Sequence, residues 1–170
     1  MAFSKQGLER CANIGRVRSQ PMAAQWKGEG LSDSLETYVA KQAITELLYR
    51  YCHAVDRIDT ELASGIWHSD GVAYYEDIFE GTGSGVLEFV FDQHRKADAT
   101  SHQLANVLIE VEGDRATSES YVTACIRSGG HDITVRGRYS DAWWFRSGRW
   151  GIDERHYRHD IVQVSPASGL

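Results

Sequence analysis

The chain has 170 residues, enough for one domain around one apolar core and short for two. Its 42% hydrophobic and 25% charged residues are ordinary for a soluble globular protein, and 18 basic against 24 acidic side chains leave a net charge of −6, which argues against a general nucleic-acid binder. Three cysteines (Cys11, Cys52 and Cys125) with no CxxC spacing argue against a disulfide framework or a zinc knuckle, and make a reducing cytoplasm the expected location. No continuous apolar stretch opens the chain and no later run is long enough to span a bilayer, so neither a secretory signal nor a membrane partner is expected.

Residues 1–33 read as a peripheral arm, broken by Pro21 and by Gly28-Glu29-Gly30. Such an arm is either loosely docked or laid over a neighbouring subunit or a pocket mouth. A helix is expected from Ser34 to Val55, because Leu35, Val39, Ala43, Leu47, Tyr51 and Val55 recur at helical spacing and Ile44 and Leu48 widen the stripe. Asp33 or Ser34 is placed to cap it. A short second helix is expected over Thr60–Trp67, with Asp59 as its N-cap, then a turn at Asp70-Gly71 and a short strand over Val72–Tyr75. The run Gly81-Thr82-Gly83-Ser84-Gly85 reads as a loop into a helix from Val86 to about Lys96. It is not a phosphate loop, because no Gly-Lys-Ser/Thr follows and no strong parallel strand precedes it.

From His102 the pattern changes to strands. Gln103–Val111, Ala116–Arg127, His131–Phe145 and Trp150–Val164 are rich in β-branched and aromatic residues and are separated by Gly-containing turns. Helices followed by a meander predict an α+β domain, with N-terminal helices packed on a curved, mostly antiparallel sheet. The domain is expected over residues 34–165, with a tail from 166 to 170.

Candidate chemistry is sparse. Asp56 sits where the first helix ends, an electrostatically poor place for a carboxylate, so it needs a donor or a cationic partner. Tyr51, five positions earlier, can lean towards the same cavity. Alternation along the strand puts His102, Leu104, Asn106 and Leu108 on one face. Tyr139, Asp141 and Trp143 share a face of the third long strand, and Asp153, Arg155, Tyr157 and His159 share one of the fourth. Arg155 among aromatics is a candidate fixed positive charge. Tyr51, Trp67, Tyr74, Tyr139 and Trp143 suggest an aromatic-rich lining. The remaining histidines lack defensible metal-ligand spacing, there is no HExxH, and no GxSxG surrounds Ser101.

Two segments, Leu47 to Arg57 and Ser101 to Ala116, together with the hairpin from Gly137 to Trp150, resemble the SnoaL-like family of the nuclear-transport-factor-like superfamily. Its members include scytalone dehydratase, hexachlorocyclohexane dehydrochlorinase and bile-acid dehydratase. The resemblance covers roughly residues 34–165 and implies a cone-shaped roll enclosing a pocket. It implies a catalytic pair of Asp56 and His102, with Tyr51 as a helix tyrosine near them. Arg155 and Tyr139 fall on substrate-facing positions, and Asn106 and Trp67 are further expected lining residues.

On that reading His102 is a general base steered by Asp56. Tyr51 donates to a carbonyl or leaving oxygen, Arg155 holds a developing anion, and no metal or organic cofactor is required. The resulting expectation is a cofactor-independent lyase: a dehydratase, dehydrohalogenase or formaldehyde-releasing enzyme acting on a small aromatic or polycyclic molecule. An isomerase or cyclase using the same base is the alternative, and a non-catalytic ligand-binding or scaffold subunit is the third reading. A homodimer or homotrimer is expected.

Overall fold

Ser34 opens the first element by accepting a hydrogen bond from the Thr37 amide at 3.2 Å. In the computed structural model, which describes residues 34–168, this helix, α1, runs Leu35–Arg57. The expected arm over 1–33 and the last two residues of the expected tail lie outside the described residues. Ala40, Ile44, Leu48, Tyr51, Cys52 and Val55 form the buried stripe of α1. Leu35 and Val39, expected in that stripe, are exposed. Ile58 ends the helix in the left-handed region (φ 54°), and the Ala54 carbonyl accepts from both Ile58 and Asp59 amides.

Asp59 caps α2 (Thr60–Ala63), its carboxylate accepting from the Leu62 amide at 2.8 Å. This helix stops four residues earlier than expected, because Trp67 already belongs to a strand, β1 (Trp67–Tyr75). The expected turn at Asp70-Gly71 lies inside that strand. Gly71 serves close approach instead: a Cβ there would stand 2.6 Å from the Ile152 carbonyl oxygen. A hairpin unforeseen in the sequence follows, to β2 (Phe79–Thr82). Helix α3 then runs Gly83–His94, starting three residues before the expected Val86 and with Thr82 as its cap. Its glycine-rich start is explained by packing, since Gly83 is buried and a Cβ there would collide with the Trp67 indole.

Four long strands complete the chain: β3 (Ala99–Glu112), β4 (Arg115–Ser128), β5 (His131–Arg146) and β6 (Arg149–Pro166). They join β1 and β2 in one six-stranded sheet of order β2-β1-β6-β5-β4-β3, antiparallel throughout except for the parallel β1–β6 pair. The helices pack on one face of it, which is the α+β arrangement expected. The core lies between them, with Ile44, Leu48, Val55, Ile66, Val86, Trp143 and Ile152 almost wholly excluded from solvent. Each such side chain contributes about 1.5–3 kcal/mol through removal of apolar surface from water.

Bulges decide which residues face the helices. In β3, Ala105 pairs with Tyr121 but Leu108 pairs with Glu119, so Asn106 and Val107 together oppose Ser120. Asn106 takes the left-handed conformation (φ 49°), which asparagine tolerates better than most residues. After it the inward parity changes: Leu104 faces in, then Val107, Ile109 and Val111. The expected face of His102, Leu104, Asn106 and Leu108 therefore breaks at Asn106, which is exposed, as is Leu108. Placing Val107, Ile109 and Val111 against the core while Glu110 and Glu112 meet water favours the extra residue.

Candidate active site

Asp56 lies in the last turn of α1, and its carboxylate finds the donors that the helix end denies it. Its Oδ1 accepts from Nδ1 of His102 and its Oδ2 from the His102 backbone amide, both at 2.7 Å. An ionised carboxylate only accepts, so Nδ1 carries the proton and Nε2 presents a lone pair. Burial alone would raise the carboxyl's pKa, but the hydrogen bonds from the His102 ring and amide, with one from Thr100, hold it below the usual carboxylate value. Asp56 is therefore ionised at neutral pH. The side chains keep 22% and 8% of their exposure, so the pair is recessed but not sealed. An open cleft of about 540 Å³ borders it, walled by Tyr49, Cys52 and His53 of α1 and by Ser101, Gln103 and Leu104 of β3.

Beside this pair the inner face of the sheet carries a second cluster built on Arg155. Its guanidinium is fully buried and bound in bidentate fashion by Asp141, with Nε–Oδ1 at 2.7 Å and Nη2–Oδ2 at 2.9 Å. It stacks over the rings of Tyr139 (4.1 Å) and Tyr51 (4.5 Å), with Trp67 at 5.7 Å. Burial works against the charge, but Asp141 outweighs it, so Arg155 stays a cation. Its Nη1 has no hydrogen-bond partner, and neither has Trp67 Nε1 or Ser120 Oγ. Buried donors without partners are costly and mark a place where an acceptor is wanted.

The sequence-derived residues thus fall into two neighbouring groups. Asp56 and His102 meet directly. Tyr51, Tyr139, Trp67 and Arg155 meet in the buried cluster, where the Tyr51 and Tyr75 hydroxyls share a hydrogen bond at 3.0 Å. Burial raises the Tyr51 pKa despite the nearby Arg155, so its phenol keeps its proton. Cys52 feels the charges of both Arg155 and Asp56, and burial pushes its thiol up to about 12, leaving it a poor nucleophile. Asn106 is not brought to the site: it sits in the β3 bulge with its side chain exposed.

Tyr74 also departs from expectation, stacking on His156 at 4.8 Å, while its neighbour Tyr75 takes the inward place. Tyr157 joins the same aromatic group, 5.0 Å from Tyr75 and 5.4 Å from Tyr139. The polar side chains of β6 are largely partnered: Arg138 and Arg158 pair with Asp160, and the rings of His156 and His159 lie within contact of Glu154 and Glu76.

One neighbour of the pair went unrecognised in the sequence. His94, at the end of α3, lies tilted against His102 with ring centroids 5.1 Å apart. Its signal was available, since Val86, Val90 and His94 recur every four residues on one face of α3. Among the described residues no group of three or more His, Cys, Asp and Glu side chains is placed to hold a metal ion. No described helix is long and apolar enough to cross a membrane.

Comparison with known proteins agrees with this architecture. Residues 36–156 match the model of the SnoaL-like domain. No curated protein sequence matches the chain. Among solved structures, hexachlorocyclohexane dehydrochlorinase LinA-type3 from Novosphingobium barchaimii LL02 superposes with a TM-score of 0.71 at 21% identity, over 81% of this chain and 97% of that one. A putative scytalone dehydratase from Novosphingobium aromaticivorans DSM 12444 gives 0.67 at 22% identity, over 78% and 91%. A nuclear transport factor 2-like superfamily protein from Salmonella enterica gives 0.65 at 25% identity, over 74% and 94%. These likenesses establish the shared fold, and the family model spans most of the chain: this protein belongs to the SnoaL-like family.

Proposed function

We propose that this protein is a cofactor-independent lyase in which His102 abstracts a proton from a small, activated aromatic or polycyclic substrate. The observation that carries this reading is the double hydrogen bond from His102 to Asp56. It directs the free lone pair of Nε2 away from the carboxylate and places an ionised group where the imidazolium forms. The C–H electron pair becomes the new π bond, the proton goes to Nε2, and the leaving group departs with its own bonding pair. Asp56 remains ionised and stabilises the cation, as in the histidine–aspartate half of an acyl-transfer triad. A halide leaves as the anion, whereas a hydroxyl leaves as water after taking a proton from the imidazolium or from the Tyr51 phenol.

The buried, cationic Arg155 supports charge developing on a substrate oxygen. One positioned acid–base group is worth roughly 100- to 10,000-fold, so the substrate must carry an already acidified C–H. The solved relatives named as a dehydrochlorinase and a putative scytalone dehydratase favour elimination over isomerisation as the first class to test.

The experiment is to incubate the protein with a panel of halogenated and β-hydroxylated cyclic compounds and follow products by mass spectrometry. A lyase product is lighter than its substrate by hydrogen halide, water or formaldehyde; an isomerase or cyclase product has the same mass. His102→Ala and Asp56→Asn are expected to lower turnover at least 100-fold with circular dichroism unchanged. Near-native rates in both folded variants would end the dyad mechanism.

A further inference from the structure

His94 has no place in the chemistry above, yet it touches His102 and the backbone just before Asp56. Its ring is nearly buried at the C-terminal end of α3. Its Nδ1 stands 2.7 Å from the carbonyl oxygen of Val55, the residue before Asp56. A carbonyl only accepts, so Nδ1 of His94 carries the proton. That carbonyl belongs to the last turn of α1, where a helix leaves its C=O groups without internal partners. The other side of the ring contact is His102 itself, at 5.1 Å between centroids and 34° between planes.

We propose that His94 is a positioning residue: it holds both members of the pair, Asp56 through the adjoining Val55 carbonyl and His102 through contact between the two rings. A side chain on α3 thereby sets the distance between the end of α1 and the start of β3, which is the distance the Asp56–His102 hydrogen bonds span. The titratable groups acting on His94 are His102 and Asp56, and Tyr49, Cys52 and His53 of α1 line the cleft beside His102 together with Asp56. Burial lowers the pKa of His94 against the opposing Val55 bond, so it remains neutral and places no second cation beside an imidazolium at His102. The inference gives His94 its catalytic meaning only through the acid–base reading, but its test needs no substrate.

The test is nuclear magnetic resonance on the full chain labelled with 15N-histidine, reading hydrogen exchange of the His102 Nδ1 proton. His94→Phe keeps a ring and loses the donor, whereas His94→Asn keeps a donor near the Nδ1 position and loses the ring. Each is expected to speed that exchange roughly tenfold, while backbone amides of β5 and β6 stay within about twofold of wild type. An unchanged His102 rate in either folded variant overturns the proposal. So does equal loss of protection across β5 and β6, which would make His94 a plain core residue. Because turnover is not the readout, failure here leaves the lyase reading standing, and failure of the lyase reading leaves this result intact.

Discussion

Asp141→Leu takes away the carboxylate that holds Arg155, and its cost can be worked from the geometry. Both side chains are fully excluded from water and joined by two short hydrogen bonds, so removing one partner strands a buried guanidinium. Breaking such a pair costs about 3–5 kcal/mol, mostly the penalty of the uncompensated charge. Stacking on Tyr51 and Tyr139 survives and recovers part of it. We therefore expect a loss of about 3–4 kcal/mol, a drop in melting temperature of roughly 10 °C for a chain of this size. Asp141→Leu combined with Arg155→Met removes both charges and is expected to recover most of that loss, because two apolar side chains fill the volume without a desolvation penalty. Urea titration followed by tryptophan fluorescence measures all three proteins. A loss under about 1 kcal/mol in Asp141→Leu, or a double variant no better than the single one, would refute the picture of a desolvated charge held chiefly by its partner.

Acid should expose the Asp56 contribution. Its folded pKa lies below the ordinary carboxylate value, so the stabilisation is complete above about pH 4 and disappears as pH falls through the folded value. The urea midpoint of wild type should thus approach that of Asp56→Asn as the pH is lowered below about 4, and a gap that stays constant on acidification would contradict the assignment. At the β3 bulge, Asn106→Gly should be neutral or gain up to about 1 kcal/mol, whereas Asn106→Val should lose roughly 1–2 kcal/mol, because a β-branched residue resists a φ of 49°. Neither change should alter turnover, since the side chain is exposed away from the pair; equal stabilities in urea would show that the left-handed conformation is not required.

What the amino-acid order determines here is local. The 3.6-residue stripe from Ala40 to Val55 specifies α1, Asp59 specifies the start of α2, and the alternating β-branched runs specify the four long strands. Asp56 stands out in sequence because a carboxylate at a helix end demands a donor, while its pairing with His102 is legible through the resemblance to the SnoaL-like family. Tertiary structure decided the rest, for reasons no local pattern carries. Parity in β3 turns on a bulge that pays off only when Val107, Ile109 and Val111 meet the core, so counting by twos misplaces Asn106. Gly71 and Gly83 look like loop residues until Ile152 and Trp67 press against them. Arg155 reads in sequence as a fixed charge among aromatics, but its carboxylate partner is revealed only when β5 brings Asp141 beside it. His94 gains its meaning only when α3 sets it between the end of α1 and the beginning of β3, against a Val55 carbonyl 39 residues away in the chain.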